Sequence, residues 1–348
     1  MKVLIVSDYA APYGGNFICS IKALADAMTQ QGHSVQFYFA GQCQSLPWLS
    51  LLERYKVQFG VSLNGLRTAM GKDNIDLVYT HFCLPKTQLL TKLACRLTGR
   101  KLVQHWHNHY QKAPGAKGIL INWAFAADYH IGCSKHVADT LPFAKKTVLY
   151  ADNAIDFSRL EQPGDSAPAW DKKGITVLMF GFDPIRKGVD LAVQALMPIA
   201  QQKGFQLVIS LSKNKDKVEA LIRQLCDGEI PNWITLVPAR DQVADYYRQA
   251  DIFLSAAREE GLCYSPLEAG YLGCNLISSA IPGVPYESIP HCGVFASENV
   301  EQLREVLLWQ KTHPLSEQEK LENRNAIVEK FEINRWVKEE ISILEQLA

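Results

Sequence analysis

Two glutamates, Glu260 and Glu268, are separated by seven residues in a segment that the sequence predicts to run from a strand through a loop into a helix. The apolar stretch 252–255 is typical of a buried strand, and Pro266 favours the first turn of a helix. Backbone N–H groups at the start of a helix bind anions such as a diphosphate, and carboxylates accept hydrogen bonds from the paired hydroxyls of a ribose or a hexose. The candidate anion-binding residues are Gly261, Leu262, Cys263, Tyr264 and Ser265. This segment therefore predicts a site for a ligand that carries both a diphosphate and a sugar.

Two adjacent cations, Arg186 and Lys187, follow the apolar stretch 175–180 and precede Gly188. An arginine binds phosphate through two parallel N–H groups, whereas a lysine acts as a point charge. Positive charge at the N-terminus of a helix is locally unfavourable unless an anion lies nearby. We therefore expect an anion near both side chains. The alternative is that they are exposed at the start of a helix and bind nothing.

Histidines form a third group of residues that could bind a metal or a ligand. His105, His107 and His109 alternate, so in a continuous strand all three would face one side, as metal ligands can. No carboxylate or cysteine stands at ligand spacing to complete such a site, and we expect no metal. His81, after the apolar stretch 77–79, is a second candidate at the end of a strand. The alternative is that one or two of these histidines simply pack there.

The elements that must hold these residues alternate as strand and helix along both halves of the chain. This order is typical of parallel sheets with helices on both faces. The sequence predicts strands at 3–8, 35–39, 77–79, 102–106 and 129–133, and then at 175–180, 205–210, 233–237 and 251–256. Predicted helices include one with Ile18, Ile21, Leu24 and Met28 on its apolar face, and others at 189–201, 215–226 and 243–249.

A run of turn-forming residues, 162–168, separates the two halves. We expect an N-terminal domain at 1–165, a C-terminal domain at 166–328, and a last segment, 329–348, whose helix packs back on the N-terminal domain. Both domains are expected to be Rossmann-like α/β units that face each other across a cleft. Because ligands of open α/β sheets bind at the carboxyl ends of the strands, the site is expected in that cleft.

The segment from Glu260 to Gly270 resembles glycosyltransferase family 4, a family of retaining enzymes with the GT-B fold that carry two glutamates at this spacing. The surrounding Glu-Gly-Leu-Cys and Leu-Glu-Ala-Gly match the family closely. The resemblance implies that Glu260 lies near the transferred sugar and that Glu268 binds the ribose of a nucleotide sugar. The alternative is a generic loop whose two glutamates face solvent.

The loop that carries Arg186 and Lys187 shows both agreement with the family and a departure from it. Lys187 matches a family lysine that binds the donor diphosphate. Phe182, however, occupies the position where an arginine is expected. Arg186 is therefore our candidate for the missing guanidinium.

The resemblance also covers residues of the first half. Gly14 and Gly15, between the first strand and the first helix, match paired glycines that let the backbone approach the donor phosphates and the acceptor. A bare turn would explain them without a ligand. His107 matches a histidine that faces the donor sugar.

By this resemblance the chain is a retaining hexosyltransferase that moves a sugar from a nucleoside-diphosphate donor to a glycan, a lipid-linked acceptor or another hydroxyl. No cofactor is expected, and the sequence has no Asp-x-Asp triplet for a metal-bridged diphosphate. Lys187, Arg186 and loop amides would instead stabilise the leaving diphosphate. One alternative is a sugar-nucleotide epimerase, which would need further acid and base groups that we cannot locate. Another is a non-catalytic partner, to which only Phe182 points.

Composition limits the partners and the compartment. The chain has 36 Lys+Arg and 36 Asp+Glu, so its net charge gives no reason to expect nucleic acid. No apolar run reaches the ~20 residues of a transmembrane helix. The nine cysteines include no C-x-x-C pair and are expected to be reduced thiols of a cytoplasmic protein. The basic, leucine-rich stretch 86–101 is either a solvated helix face or a contact with anionic lipid at the membrane.

Overall fold

The computed structural model describes residues 1–110, 115–162, 169–240 and 242–348, which form two compact units. Unit 1 comprises Met1–Ala154 and Ile333–Ala348, and unit 2 comprises Ile155–Glu332. The expected domain boundary at 165/166 and most of the expected linker lie outside the described residues. The chain changes unit earlier, at residue 155, because Ile155, Phe157 and Leu160 are buried in the core of unit 2.

Unit 1 has, among the described residues, a parallel sheet of seven strands in the order β3-β2-β1-β4-β5-β6-β7. The strands are β1 Lys2–Ser7, β2 Ser34–Phe39, β3 Lys56–Phe59, β4 Leu77–His81, β5 Lys101–Trp106, β6 Tyr129–Gly132 and β7 Val148–Tyr150. The helices between them are α1 Gly15–Gln30, α2 Leu63–Lys72, α3 Pro85–Thr98, α4 Gly115–Phe125 and α5 Lys135–Thr140. The central strands are buried along most of their length, which is why they read as near-continuous apolar runs.

Unit 2 repeats this plan with a six-stranded parallel sheet in the order β10-β9-β8-β11-β12-β13. The strands are β8 Ile175–Phe180, β9 Phe205–Leu211, β10 Ile234–Pro238, β11 Ile252–Ser255, β12 Asn275–Ser279 and β13 Cys292–Phe295. The helices are α6 Ser158–Glu161, α7 Val189–Leu196, α8 Ala200–Lys203, α9 Lys215–Leu225, α10 Ala244–Gln249, α11 Tyr264–Tyr271, α12 Val300–Thr312 and α13 Glu317–Phe331. The α/β fold class is thus confirmed in both halves.

One predicted helix is divided. The sequence pattern indicates a continuous helix over 189–201, but the structure has α7 and α8 with a break between them. Pro198 lies in the break, and proline cannot donate the backbone hydrogen bond that would continue the helix.

The last helix, α14 Ile333–Leu347, belongs to unit 1. Its apolar face, with Trp336, Ile341 and Leu344, is buried in the same core as Ile18 and Ile21 of α1. The preceding helix α13 remains in unit 2, so the return to unit 1 begins at residue 333 rather than at 329.

Strand register brings the candidate site residues to one edge of each sheet. In unit 1, His81 of β4 is paired with Ser7 on one side and His105 on the other. In unit 2, Phe180 is paired with Ser210. Because all these strands are parallel, the loops that follow them meet at the carboxyl edge of their sheet, where ligands of α/β proteins bind.

Candidate functional site

The two glutamates are held by the loop and helix that follow β11. Glu260 lies in the loop and is 8% exposed, and Glu268 lies in α11 and is 5% exposed, so neither faces solvent. The helix begins at Tyr264, two residues before the expected start at Pro266. Gly283 crosses this loop so closely that a Cβ at its position would lie 2.0 Å from the carbonyl oxygen of Glu260. The same contact occupies one of the backbone N–H groups that we expected to bind an anion. The N–H of Cys263 donates to the carbonyl of Gly283 at 2.8 Å.

Glu260 is joined to both cations of the loop between β8 and α7. Lys187 Nζ lies 2.5 Å from Oε1 of Glu260, and Nη1 of Arg186 lies 3.3 Å from the same oxygen. Arg186 also donates from Nη1 to the carbonyl oxygen of Glu259 at 3.2 Å. The structure therefore brings Glu260 to two adjacent cations that lie more than 70 positions earlier in the sequence. Their charges offset one another in the absence of an anion.

Arg258, which the sequence reasoning missed, ties the two loops together. Its guanidinium binds the carboxylate of Asp190 through two contacts of 2.8 Å and also contacts Glu298. Its backbone N–H donates to the carbonyl of Arg186 at 2.8 Å. Both carboxylates raise the pKa of Arg258, and the hydrogen bond to Asp190 has the larger effect. Gly188 permits the approach, since with φ of 69° a Cβ there would lie 2.0 Å from the carbonyl oxygen of Ala256.

Glu268 has two partners of its own within unit 2. Arg159 of α6 donates to Oε1, and the hydroxyl of Tyr247 donates to Oε2 at 2.8 Å. Burial raises the pKa of Tyr247, so this hydroxyl remains a donor. Both carboxylate oxygens of Glu268 are thus engaged within unit 2. No local pattern in the sequence indicated either residue, because α6 and α10 are remote from the glutamate motif.

The aromatic ring of Phe182 lies among three cations. Lys187 Nζ is 5.1 Å, Arg186 Cζ 5.5 Å and Lys213 Nζ 5.6 Å from the ring centroid. Lys213 comes from the loop after β9, and the neighbouring Asn214 donates from Nδ2 to the carbonyl of Phe182 at 2.7 Å. Positive charge therefore converges at the position where the resemblance implies a single arginine.

The paired glycines lie at the start of α1 in unit 1. Gly15 has φ of 54°, a conformation that favours glycine, and a Cβ on Gly14 would lie 3.2 Å from Cβ of Trp48. Tyr9 donates from its hydroxyl to the carbonyl of Gly14 at 3.3 Å. Local backbone packing is thus sufficient to explain both glycines, and their role toward a donor remains a prediction.

The histidines of unit 1 divide into two groups. β5 ends at Trp106, where the predicted strand 102–106 ends, so the three alternating histidines do not share one strand, and the ring of His109 lies 5.2 Å from that of His136. His107 is joined to His81, with Nε2 of His107 lying 3.1 Å from Nδ1 of His81. Over the described ranges, no group of three or more His, Cys, Asp or Glu side chains is arranged to hold a metal ion.

The environment of His107 keeps its imidazole neutral. Burial lowers the pKa of His107 well below its ordinary value, and the neighbouring His105 and His81 lower it further. Burial and His105 act on the pKa of His81 in the same direction. A neutral imidazole carries one donor and one acceptor nitrogen, which suits hydrogen bonding to a sugar hydroxyl.

None of the helices, in the part of the chain that the structure describes, is long and apolar enough to cross a membrane.

Comparison with known proteins adds a family match for unit 2. Residues 165–327 match the family model of glycosyl transferases group 1. No curated protein sequence matches the chain significantly.

Solved structures share the architecture over the whole chain. HepE from Anabaena in complex with UDP-glucose is 16% identical with a TM-score of 0.77, and the match covers 99% of this chain and 100% of that chain. The catalytic domain of starch synthase IV from Arabidopsis thaliana, bound to ADP and acarbose, is 12% identical with a TM-score of 0.73, covering 99% and 98%. The lipopolysaccharide outer core galactosyltransferase WaaB is 15% identical with a TM-score of 0.69, covering 99% and 100%. The shared architecture is the GT-B fold, and the domain match makes the protein a glycosyltransferase.

Proposed function

We propose that this glycosyltransferase is a retaining enzyme of family 4 that moves a hexose from a nucleoside-diphosphate sugar to a hydroxyl acceptor. The observation that carries the proposal is the set of Glu260, Lys187 and Arg186 at the carboxyl edge of the sheet of unit 2. The spacing of Glu260 and Glu268 and the group 1 domain match support the same assignment.

Lys187, Arg186 and Lys213 would bind the donor diphosphate. They surround one aromatic ring, and two of them are balanced by Glu260 while no donor is present. Negative charge on the diphosphate grows as the glycosidic bond breaks, so fixed cations stabilise the transition state more than the bound donor. This arrangement supports transfer without a metal ion.

Glu260 would lie against the transferred sugar, and Glu268 would bind the ribose between Arg159 and Tyr247. His107, held neutral, would contact a sugar hydroxyl from unit 1. HepE was solved with UDP-glucose, and starch synthase IV with ADP and acarbose, so architectures of this kind accept more than one nucleotide base. A glycan acceptor is consistent with WaaB, an outer core galactosyltransferase of lipopolysaccharide.

Two of our initial alternatives have less support. An epimerase would need further acid and base groups for proton transfer, whereas the side-chain partners of Glu260 in the described residues are the cations Lys187 and Arg186. The non-catalytic alternative depends on Phe182, yet Arg186 lies beside that ring and reaches Glu260.

Thermal unfolding in the presence of UDP-, GDP- and ADP-hexoses tests the donor class. A ligand at 100 times its dissociation constant adds ~2.7 kcal/mol to the free energy of unfolding, which is a clear rise in Tm for a chain of this size. We expect the hexose conjugate of one nucleotide to raise the Tm more than the free nucleoside diphosphate does. In the Glu260→Gln variant we expect that difference to disappear. No rise with any of the three sugars would contradict the proposal.

We also propose that unit 1 binds an anionic membrane surface, where a lipid-linked acceptor would be presented. Four apolar side chains of α3 and α4 face outward: Ile119 is 71% and Leu120 65% exposed, and Leu97 and Trp123 are also exposed. Lys86 and Arg96 of α3 are exposed cations on the same pair of helices. An apolar face with cationic borders is typical of helices that lie in the interface of anionic bilayers.

Lys92 does not belong to that surface. It is buried, donates to the backbone carbonyl of Trp123, and lies 4.5 Å from the centroid of that ring. Burial and the charge of Arg96 lower its pKa. Lys92 therefore joins α3 to α4 instead of meeting lipid, which corrects its inclusion in the basic stretch.

Sedimentation with vesicles tests the membrane proposal. We expect the protein to sediment with vesicles that contain phosphatidylglycerol and not with neutral ones, and Leu120→Ser to reduce the bound fraction. Trp309→Ser, at an exposed apolar residue of unit 2, is the matched control. Equal sedimentation of wild type and Leu120→Ser would contradict the proposed surface.

A further inference from the structure

The C-terminal helix carries a buried carboxylate that the donor site does not explain. Glu340 of α14 is 0% exposed and lies in unit 1. Its Oε1 accepts hydrogen bonds from the hydroxyl of Tyr79 and from Nδ1 of His105 at 3.1 Å. Burying a carboxylate is costly even when it is paired, and an apolar residue of similar size is often at least as stable. Stability alone therefore does not account for Glu340.

The carboxylate leads directly to the candidate sugar-binding histidine. His105 lies on β5, and its ring stacks on that of His107, with centroids 4.5 Å apart and planes 17° from parallel. The ring of Phe82 also stacks on His107, at 3.9 Å and 8°. Two parallel rings cannot occupy the same face of an imidazole, so His107 lies between Phe82 and His105. Glu340 fixes the ring that forms one wall of this clamp.

The chemistry of the side chains defines which groups donate and which accept hydrogen bonds around Glu340. A carboxylate only accepts, so Tyr79 and Nδ1 of His105 are both donors. Burial, together with the charge of Glu340, raises the pKa of Tyr79 and keeps its hydroxyl protonated. The orientation of the His105 ring is therefore set by the carboxylate of Glu340 and by the hydroxyl of Tyr79, which also lies 2.6 Å from Nδ1 of His105.

The same reasoning assigns the nitrogens of His107. Asn153 Nδ2 lies 3.5 Å from Nδ1 of His107, and an amide nitrogen donates, so Nδ1 is the acceptor. Nε2 of the neutral ring then donates to Nδ1 of His81 at 3.1 Å. The long contact to Asn153 is one that a sugar hydroxyl can replace.

We propose that Glu340 is a positioning residue that, through His105, holds His107 in the single orientation in which its Nδ1 accepts a hydrogen bond from a hydroxyl of the donor sugar. This inference rests on the proposed function, in which His107 contacts the donor. In this proposal α14, the helix by which the chain returns to unit 1, serves the active site as well as the core of that unit.

A kinetic cycle between Glu340 and His107 tests the inference. Glu340→Gln preserves the size of the side chain and removes its charge, and we expect turnover to fall about tenfold, since small misplacements of catalytic groups are costly. Affinity for the free nucleoside diphosphate should not change. In the His107→Ala background, Glu340→Gln should have no further effect on turnover, because the residue that it positions is absent. The matched control is Glu339→Gln, on the same helix, where the carboxylate pairs with Arg335 near the surface.

A purely structural role gives a different result. Glu340→Gln would then lower the Tm and reduce turnover by the same factor in both backgrounds, which would overturn the inference. If Glu340→Gln does not fold, Tyr79→Phe removes one of the two donors to Glu340 and retains the ring, and the same cycle with His107→Ala applies.

Nitrogen NMR of the histidine rings separates this inference from the proposed function, because it needs no donor. We expect wild-type His107 to show one neutral tautomer at pH 7, with Nδ1 unprotonated, and Glu340→Gln to show a mixture of tautomers or exchange broadening. An unchanged His107 spectrum would refute the positioning role. A protein inactive toward every sugar nucleotide would refute the proposed function, while the NMR result would still decide the role of Glu340.

Discussion

The charged site of unit 2 and the histidine cluster of unit 1 differ in how they hold their polar groups. In unit 2, Glu260, Lys187 and Arg186 lie on loops, the two cations are partly exposed, and the carboxylate of Glu260 pairs with both of them. In unit 1, His81, His105 and Glu340 are fully enclosed by strands and a helix. A partly solvated set of charges can exchange partners when an anion binds, whereas an enclosed set keeps one geometry. We infer that the charged groups of unit 2 can rearrange when an anion binds, whereas the rings of unit 1 keep one orientation.

The largest effect is expected from Lys187→Ala. Its ammonium balances Glu260 and, in the proposed function, the leaving diphosphate, so we expect turnover to fall by about 10²–10³. The dissociation constant of the donor should change less, because the charge develops in the transition state. Steady-state kinetics and calorimetry measure the two quantities. Lys215→Ala, an exposed lysine paired with Glu219, is the control. Equal losses in turnover and in affinity would mean that Lys187 only anchors the bound donor.

Arg186→Ala should have the next largest effect. If its guanidinium replaces the arginine expected at Phe182, most activity is lost, and Phe182→Arg in the same chain restores part of it. The two positions share one loop, and Arg186 already lies 5.5 Å from the ring of Phe182, so a guanidinium from either position reaches the same phosphate. Rates of transfer or of donor hydrolysis measure the recovery. Wild-type activity in Arg186→Ala would remove Arg186 from the site.

Glu268→Gln is expected to weaken donor binding. The change removes a charged acceptor, worth about 1.5–3 kcal/mol in a hydrogen bond of this kind. Arg159 also loses its partner, so the Tm should fall as well. Calorimetry with the nucleoside diphosphate and with its dideoxyribose analogue, which lacks the ribose hydroxyls, distinguishes a lost ribose contact from a loss of local stability. An equal loss for both ligands would show that Glu268 stabilises α6 and does not bind the ribose.

Lys213→Ala should have the smallest effect of the four. The lysine is exposed, and an exposed charge contributes at most about 1 kcal/mol, so we expect an affinity loss of fivefold or less. The loss should appear with the nucleoside diphosphate and be absent with the nucleoside. Lys217→Ala, exposed on α9, is the matched control. Weaker binding of both ligands would place Lys213 near the base instead of the diphosphate.

The sequence predicted the parts of the site that are local in the chain. The strand, loop and helix around Glu260 lie close to where apolar pattern and proline indicate them, and Lys187 was identified from its own loop. Arg159, Tyr247 and Glu340 could not be found in this way. Each meets its partner only because remote helices pack together, and no spacing along the chain records that contact.

Errors in the sequence reasoning have the same origin. The alternation of His105, His107 and His109 would place all three on one face of a continuous strand, but pairing with β6 reaches only to Trp106. The N–H of Cys263 looked free from the helix start, and it is engaged by the distant Gly283. Periodicity describes an element by itself, whereas the end of a strand and the partners of a loop depend on the neighbouring elements.

Proton NMR of the first sugar released from an α-linked nucleoside-diphosphate hexose tests the central claim most directly. Slow hydrolysis requires no knowledge of the acceptor, and early spectra distinguish the anomers before they interconvert in solution. The account predicts that wild type releases the α-anomer first and that Lys187→Ala releases it much more slowly. Initial release of the β-anomer would contradict retention, and no release from UDP-, GDP- or ADP-hexoses would contradict the proposed donor chemistry as a whole.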